Sequence, residues 1–135
     1  MKILLSLFLT FPMLAFADVP AEQKPEVDHL IDFVTSSTCQ FKRNFSYHTA
    51  KEAAEHIQKK YDYFKDDINT TEDFIRLSAT KSLLTNKAYK VKCADNDLLE
   101  SSTWLLTELA AFRKLSKPQT DAKVIVPAPK VEPAS

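Results

Sequence analysis

The side chains best suited to chemistry lie close together in the first half of the sequence. Arg43, Asn44 and His48 occupy a polar turn that directly precedes a helical pattern. A guanidinium binds a carboxylate or a phosphate through two parallel hydrogen bonds, and the start of a helix favours negative charge. These three residues are therefore predicted to form a binding site for a small anion. The competing interpretation is an internal ion pair between Arg43 and Glu52 or Glu55.

Histidine and glutamate at helical spacing also suggest a metal site. His48, Glu52 and His56 follow one another at intervals of four residues. In a helix that rises about 1.5 Å per residue, the two histidines stand about 12 Å apart, whereas zinc binds its nitrogen ligands at about 2 Å. The spacing therefore predicts no metal site, and no other cofactor is predicted.

Acid–base chemistry is the third use that this cluster suggests. A histidine near a carboxylate titrates near neutral pH, so a minor hydrolase or a metal-dependent enzyme using His48 is the alternative function. No nucleophile or oxyanion-hole motif accompanies His48, and Ser82 lies far away in the sequence. We therefore predict that the protein is not an enzyme and that it has no catalytic residues.

The chain contains no glycine, although average usage predicts about nine in a protein of this length. This composition excludes the P-loop, the dinucleotide-binding fingerprint and the nucleophile elbow, all of which need glycine for a close backbone approach. Turns that require a positive φ must use other residues. Asparagine tolerates that region best, and four asparagines fall between periodic segments: Asn44, Asn69, Asn86 and Asn96.

The N-terminus predicts export. One basic residue precedes an apolar run from Ile3 to Phe16, and small residues stand at Ala15 and Ala17. This order is typical of a secretory signal peptide over residues 1–17, cleaved after Ala17, and the apolar run is short for a membrane span. No membrane span then remains in the mature chain. An uncleaved N-terminal anchor is the alternative.

The rest of the chain divides into one domain and a tail. Residues 18–115 have the size of a single domain. Residues 116–135 contain four prolines and few side chains able to bury surface, which predicts a flexible Pro-rich tail.

The two cysteines, Cys39 and Cys93, are predicted to form a disulfide. Export places them in an oxidising compartment, and the chain has no other thiol. Each stands beside a short β-like run, at residues 40–43 and 88–92, so an antiparallel pairing would bring the sulfurs together. A redox pair or a metal site is the alternative, but the sequence lacks the C-x-x-C spacing that such sites favour.

Periodicity predicts four helices. The first begins near Pro20, and the second follows a capping box formed by Thr49 and Glu52. The third begins with a second capping box, formed by Thr70 and Asp73, and its pattern weakens over residues 81–84. The last helix covers residues 101–115. The predicted fold class is therefore α+β and mainly helical, with about four helices packed against a short two-stranded antiparallel ribbon and one disulfide.

Charge gives little indication of a partner. Lysine plus arginine equals aspartate plus glutamate, and both signs are interspersed along the helices. This pattern argues against a nucleic-acid site and against a polybasic membrane patch, and it favours an ordinary solvated surface. The predicted partner is an unknown envelope protein or a small anionic ligand.

The order of these motifs resembles a known family. F-x-R-N is followed by His48, Glu52 and His56, then by T-x-E-x-F-I, Ser82 and Y-x-V. This order is similar to the small exported proteins of Gram-negative bacteria typified by YfeK, an uncharacterised family. The resemblance implies a periplasmic α+β domain with no established activity, and it implies that seven positions define the pattern: Arg43, Asn44, His48, Glu52, His56, Ser82 and Tyr89.

Two positions depart from that family pattern, which tends to have glycine where this chain has Phe45 and Asn86. Asparagine tolerates the left-handed region, so Asn86 is expected to preserve its turn. Phe45 does not, and the turn after Arg43 is expected to differ in shape.

Overall fold

In the computed structural model, residues 20–117 are described. The predicted signal peptide over residues 1–17 and most of the predicted tail lie outside this range, so both stay predictions. Within residues 20–117, no helix has the length and apolar character needed to cross a membrane.

Four helices form most of the domain: α1 (Lys24–Ser36), α2 (Ala50–Phe64), α3 (Thr71–Ser78) and α4 (Ser101–Ser116). A short 3-10 turn, Lys65–Asp67, follows α2. The predicted start of the first helix near Pro20 is wrong by about one turn, since α1 begins at Lys24 with a proline in its first two positions. Proline suits that place because the amide it lacks would have no helical partner.

The second and third helices begin as their polar residues predict, with one difference. The Thr49 hydroxyl accepts a hydrogen bond from the Glu52 amide, and the Glu52 carboxylate accepts one from the Thr49 amide, which confirms the capping box. At α3 the Thr70 hydroxyl likewise accepts from the Asp73 amide. The Asp73 carboxylate, however, accepts from the amide of Asn69 rather than that of Thr70, so the second box closes one residue early.

The third helix is shorter than predicted because the chain turns into the sheet region. α3 ends at Ser78, and the Thr80 hydroxyl donates to the Ile75 carbonyl just beyond it. The Thr80 carbonyl then accepts from the Tyr89 amide, and an isolated antiparallel bridge joins Lys81 to Ala88. These contacts use backbone groups that a longer helix would have needed.

The sheet has four antiparallel strands in the order β2-β1-β3-β4. They are β1 (Gln40–Arg43), β2 (Ser46–His48), β3 (Lys90–Lys92) and β4 (Leu99–Glu100). The predicted pairing of β1 with β3 is confirmed, and the Cys39–Cys93 disulfide closes it with the two Cα atoms 4.3 Å apart. β2 and β4 extend the predicted two-stranded ribbon on either side.

Two asparagines supply the left-handed turns, as the missing glycine predicts. Asn44 has φ 56° and Asn86 has φ 59°, whereas Asn69 and Asn96 do not adopt positive φ. The third such residue is Ala94, at φ 50°, which the composition does not single out. Asn44 and Phe45 form the two-residue turn between β1 and β2. Asn44 takes the positive φ in this turn, so Phe45 does not need to adopt it.

The core lies between the inner face of the sheet and the four helices. Phe41 and Val91 alternate with outward-facing neighbours on β1 and β3, and both are buried. The predicted apolar stripes fill the remaining space, chiefly Val27, Leu30, Val34, Ala53, Ile57, Tyr61, Ile68, Phe74, Ile75, Leu105 and Leu109.

Arg113 joins three helices at the end of the domain away from the sheet. From α4 its guanidinium donates to both Glu26 carboxylate oxygens on α1, at 2.7 and 2.9 Å, and it also donates to Glu72 on α3. The Thr71 hydroxyl donates to Glu26 as well. Arg113 lowers the pKa of Glu26 and of Glu72 because it stabilises both carboxylates in their charged form.

Replacing both cysteines with alanine should lower the free energy of unfolding by about 4 kcal/mol, because the bridge restricts the unfolded chain over a sequence separation of 54. Urea unfolding of the oxidised protein and of the double variant gives this difference. Reductant should destabilise the wild type and leave the variant unchanged. A loss below about 1 kcal/mol would show that the bridge contributes little to stability.

Candidate functional site

An open groove of about 300 Å³ lies where the first three turns of α2 meet the ends of β1 and β2. We call it the α2 groove. It contains two of the three residues predicted to bind an anion, two further members of the family pattern, and two other charged residues. Its lining residues are Arg43, His48, Glu52, Glu55, His56 and Lys59.

Strand register places the two predicted residues in this groove. Arg43 alternates with Lys42 and shares a sheet face with the buried Phe41, so its side chain leaves β1 toward the helices. His48 is the Cα partner of Phe41 across the β1–β2 pair and therefore lies on the same face. Thr49 caps α2 immediately after His48, so Glu52, the first groove residue on the helix, lies about one turn beyond His48.

Arg43 is not neutralised by an internal ion pair. Among residues 20–117, no carboxylate oxygen lies within 4.0 Å of its guanidinium, so the ion pair with Glu52 or Glu55 does not form. Glu52 is instead held by the capping box, whose backbone hydrogen bond from Thr49 is the main cause of its lowered pKa. The nearest histidine contact of Glu52 is loose, with His48 Nδ1 3.8 Å from Glu52 Oε2.

His56 is a neutral imidazole at the inner wall of the groove. Its Nε2 atom is hydrogen bonded to the Tyr89 hydroxyl at 2.9 Å. Burial, together with the positive charges of Arg43 and Lys60, lowers the pKa of His56 to about 4. Burial also raises the pKa of Tyr89, so both members of the pair stay uncharged near neutral pH. Because His56 is neutral, the positive charge of this wall comes from Arg43 and Lys59.

A small apolar cavity adjoins the groove. It has a volume of about 30 Å³, which is room for one or two water molecules. Phe41, Ile57, Trp104 and Leu105 form most of its apolar wall, while Arg43, His48 and His56 line both spaces. The groove thus has a polar mouth above a narrow apolar floor.

Asn44 and Ser82 lie outside these two spaces. Asn44 Oδ1 accepts a hydrogen bond from the Thr85 hydroxyl at 2.5 Å. Ser82 Oγ accepts from the Leu84 and Thr85 amides, and the residue is buried. Both side chains stabilise adjacent turns. The proposed part of Asn44 in anion binding therefore has no support from its position, and Ser82 is not within the His48 cluster.

Lys59 is the groove residue that sequence reasoning missed. It follows His56 by three residues on α2 and therefore lies on the same side of the helix. That spacing is the signal that would have found it, but only once the site was known to extend along the helix. No group of three or more His, Cys, Asp or Glu residues able to hold a metal ion occurs within residues 20–117.

The sequence model of a family described as "Family of unknown function (DUF5329)" matches residues 21–113. The chain belongs to the DUF5329 family. The matched range includes both cysteines and every residue of the α2 groove. No curated protein and no solved structure matches the chain significantly. Membership in DUF5329 thus assigns no activity to the groove, and its chemistry must be argued from the residues themselves.

The pKa of His56 should report on the charge of Arg43. Proton NMR of the imidazole should give a midpoint near pH 4 in the wild type and a higher one in Arg43→Ala, because one of the neighbouring positive charges is then removed. Arg76→Ala removes an exposed arginine that pairs with Asp73, and it should leave the His56 midpoint unchanged.

The same titration has a consequence for stability. The pKa of His56 is about 4 in the folded state against 6.5 for an unperturbed histidine. The unfolded chain therefore binds the proton first, and stability should fall as the pH drops from 6.5 toward 4. His56→Gln should weaken this dependence in urea unfolding at stepped pH. An unchanged slope would mean that His56 is not neutral in the folded protein.

Proposed function

We propose that this DUF5329 domain is a small binding module of the bacterial cell envelope, and that it binds a small anionic ligand in the α2 groove. This proposal rests on the observation that Arg43 faces the groove without a carboxylate partner among the described residues. An arginine left unpaired in this way retains its donors for a ligand, and carboxylate and phosphate are the groups that fit its planar fork.

The groove lining is formally neutral, and an additional positive charge directly behind it favours an anion. Arg43 and Lys59 contribute fixed positive charge, and Lys60 stands behind the wall with its ammonium donating to the Lys81 carbonyl at 2.7 Å. One of the two groove carboxylates, Glu52, already accepts the Thr49 amide. Glu52 and Glu55 therefore balance Arg43 and Lys59, and Lys60 behind the wall supplies the excess positive charge.

The volumes limit the size of the ligand. A groove of about 300 Å³ is at the lower end of the range for small-molecule sites. The apolar cavity of about 30 Å³ beneath it has room for no more than a methyl-sized group. These dimensions favour a compact anion held at the polar mouth, and they disfavour an acyl chain or a bulky ring.

Arg43→Ala should weaken binding of inorganic phosphate, used as the probe, by about tenfold or more, because a charge-assisted hydrogen bond contributes roughly 1.5–3 kcal/mol. Amide chemical shifts of groove residues followed through a phosphate titration measure the affinity. Arg76→Ala is the matched control and should bind as the wild type does.

Two results would contradict the anion site. One is the absence of saturable shifts at His48, Glu52 and His56 in the wild type. The other is a loss of folding stability in Arg43→Ala with phosphate binding unchanged, which would make Arg43 a structural residue.

The proposed location is the periplasm. Three observations support it: the signal-like order of residues 1–17, the Cys39–Cys93 disulfide, and the resemblance of the motif order to the YfeK-typified exported proteins. Disulfides persist in oxidising compartments such as the periplasm.

Export predicts a specific N-terminus. When the full chain is expressed in a Gram-negative host, intact-mass measurement of the periplasmic fraction should give a protein that begins at Asp18. Recovery of the chain in the membrane fraction with residues 1–17 retained would support the uncleaved anchor instead.

A further inference from the structure

Charge is strongly segregated in this neutral chain. Residues 33–51 contain three lysines or arginines and residues 74–94 contain five, and neither segment contains an aspartate or a glutamate. The pairing of β1 with β3 places these two acid-free segments side by side. Charges of both signs are interspersed along the helices, whereas in the sheet the fold assembles a basic region.

The basic region is concentrated on the outer face of the sheet. Phe41 and Val91 point into the core, so their neighbours Lys42, Lys90 and Lys92 point the other way. Lys42 and Lys90 are direct Cα partners across the two strands. Like charges in such positions destabilise a sheet, so this pair has no explanation in folding stability. Glu100, the partner of Lys90 on β4, is the single carboxylate of the described strands.

An exposed apolar tip adjoins this face. Phe45 in the β1–β2 turn is 78% exposed, and Leu83 and Leu84 in the neighbouring turn are 64% and 95% exposed. The two turns are joined at 2.5 Å by the hydrogen bond from the Thr85 hydroxyl to Asn44. The Lys87 ammonium lies 3.7 Å from the centroid of the Phe45 ring. Leucine and phenylalanine therefore form an apex that lysines flank.

Tyr47 connects the tip to the basic face. It is 50% exposed on the edge strand β2, opposite Lys42, whose ammonium lies 5.8 Å from the centroid of its ring. Aromatic side chains with a polar end favour the boundary between lipid headgroups and acyl chains. The acidic residues Asp95 and Asp97 lie in the β3–β4 loop, beyond the opposite end of β3.

We propose that the outer sheet face and the apolar tip dock on the surface of an anionic phospholipid membrane. Phe45, Leu83 and Leu84 enter the headgroup boundary, while Lys42, Lys87 and Lys90 contact lipid phosphates. An acidic polysaccharide would match the lysines but would leave the exposed leucines in water. A membrane interface accommodates both, and the acidic β3–β4 loop then lies away from it. This surface is separate from the α2 groove and does not depend on anion binding there.

Vesicle co-sedimentation tests the proposal with the chain recovered from the periplasm of an expression host. Vesicles contain phosphatidylcholine alone or with about 30% phosphatidylglycerol, which supplies the negative surface charge. The wild type should bind the anionic vesicles and lose that binding as salt is raised. The double variant Lys42→Glu/Lys90→Glu should bind about tenfold or more weakly, since each lysine near such a surface contributes about 1 kcal/mol.

Helix α4 provides matched controls far from the sheet. Lys114→Glu/Lys117→Glu makes the same change in net charge at exposed positions and should bind as the wild type does. Leu84→Ser should weaken binding severalfold, whereas Leu115→Ser, which alters a leucine that is 86% exposed, should not. In Phe45→Trp, vesicles should shift the tryptophan emission to shorter wavelength by more than in the wild type.

Several outcomes would overturn the docking surface. They are the absence of binding to anionic vesicles, equal weakening by the two charge-reversal pairs, and equal effects of the two leucine changes. The proposal would also be overturned if the protein bound soluble heparin as tightly as it binds anionic vesicles and if Leu84→Ser left vesicle binding intact. That result would indicate that the ligand is a polyanion in solution. Phosphate binding by Lys42→Glu/Lys90→Glu is measured as well. If this variant loses vesicle binding but still binds phosphate in the α2 groove, the two sites are independent, and the failure of one proposal does not count against the other.

Discussion

The pairing of β1 with β3, closed by the Cys39–Cys93 disulfide, is the constraint on which the rest of the domain depends. It joins segments that are 54 residues apart and makes them the centre of the sheet. The register also decides which side chains face the helices. A shift by one residue would turn Lys42 toward the core and Phe41 toward water, because successive side chains on a strand point to opposite faces. The disulfide at the end of both strands opposes such a shift.

This register explains how two chemically different surfaces arise from adjacent residues. Arg43 leaves β1 toward α2 and lines the groove, whereas Lys42 leaves toward solvent and joins the basic face. On the groove side, His56 and Tyr89 form a hydrogen-bonded pair that is partly buried and uncharged. A protonated His56 would add another positive charge beside Arg43, so the fold keeps the imidazole neutral and leaves the guanidinium as the groove's cationic centre.

Sequence reasoning succeeded where the determining interactions are local or few. The capping box joins Thr49 to Glu52, three residues later, and with only two cysteines in the chain a disulfide has one possible pairing. β2 escaped prediction because it lies within the polar segment that precedes α2, and β4 because it has only two residues. The unpaired state of Arg43 was not predictable either, because Glu52 and Glu55 are close to it in sequence and only the tertiary arrangement directs them elsewhere.

Several features near the sheet oppose folding stability, although the disulfide and the core stabilise the same region. An unpaired Arg43, the facing lysines Lys42 and Lys90, and exposed Phe45 each break a rule that ordinary folds obey. At the opposite end of the domain, Arg113 binds Glu26 through both oxygens and also binds Glu72, which ties together α1, α3 and α4. Violations of this kind are expected at functional sites rather than spread through a fold. Their concentration around the β1–β2 turn and the adjoining strands is therefore the structural reason to seek function there.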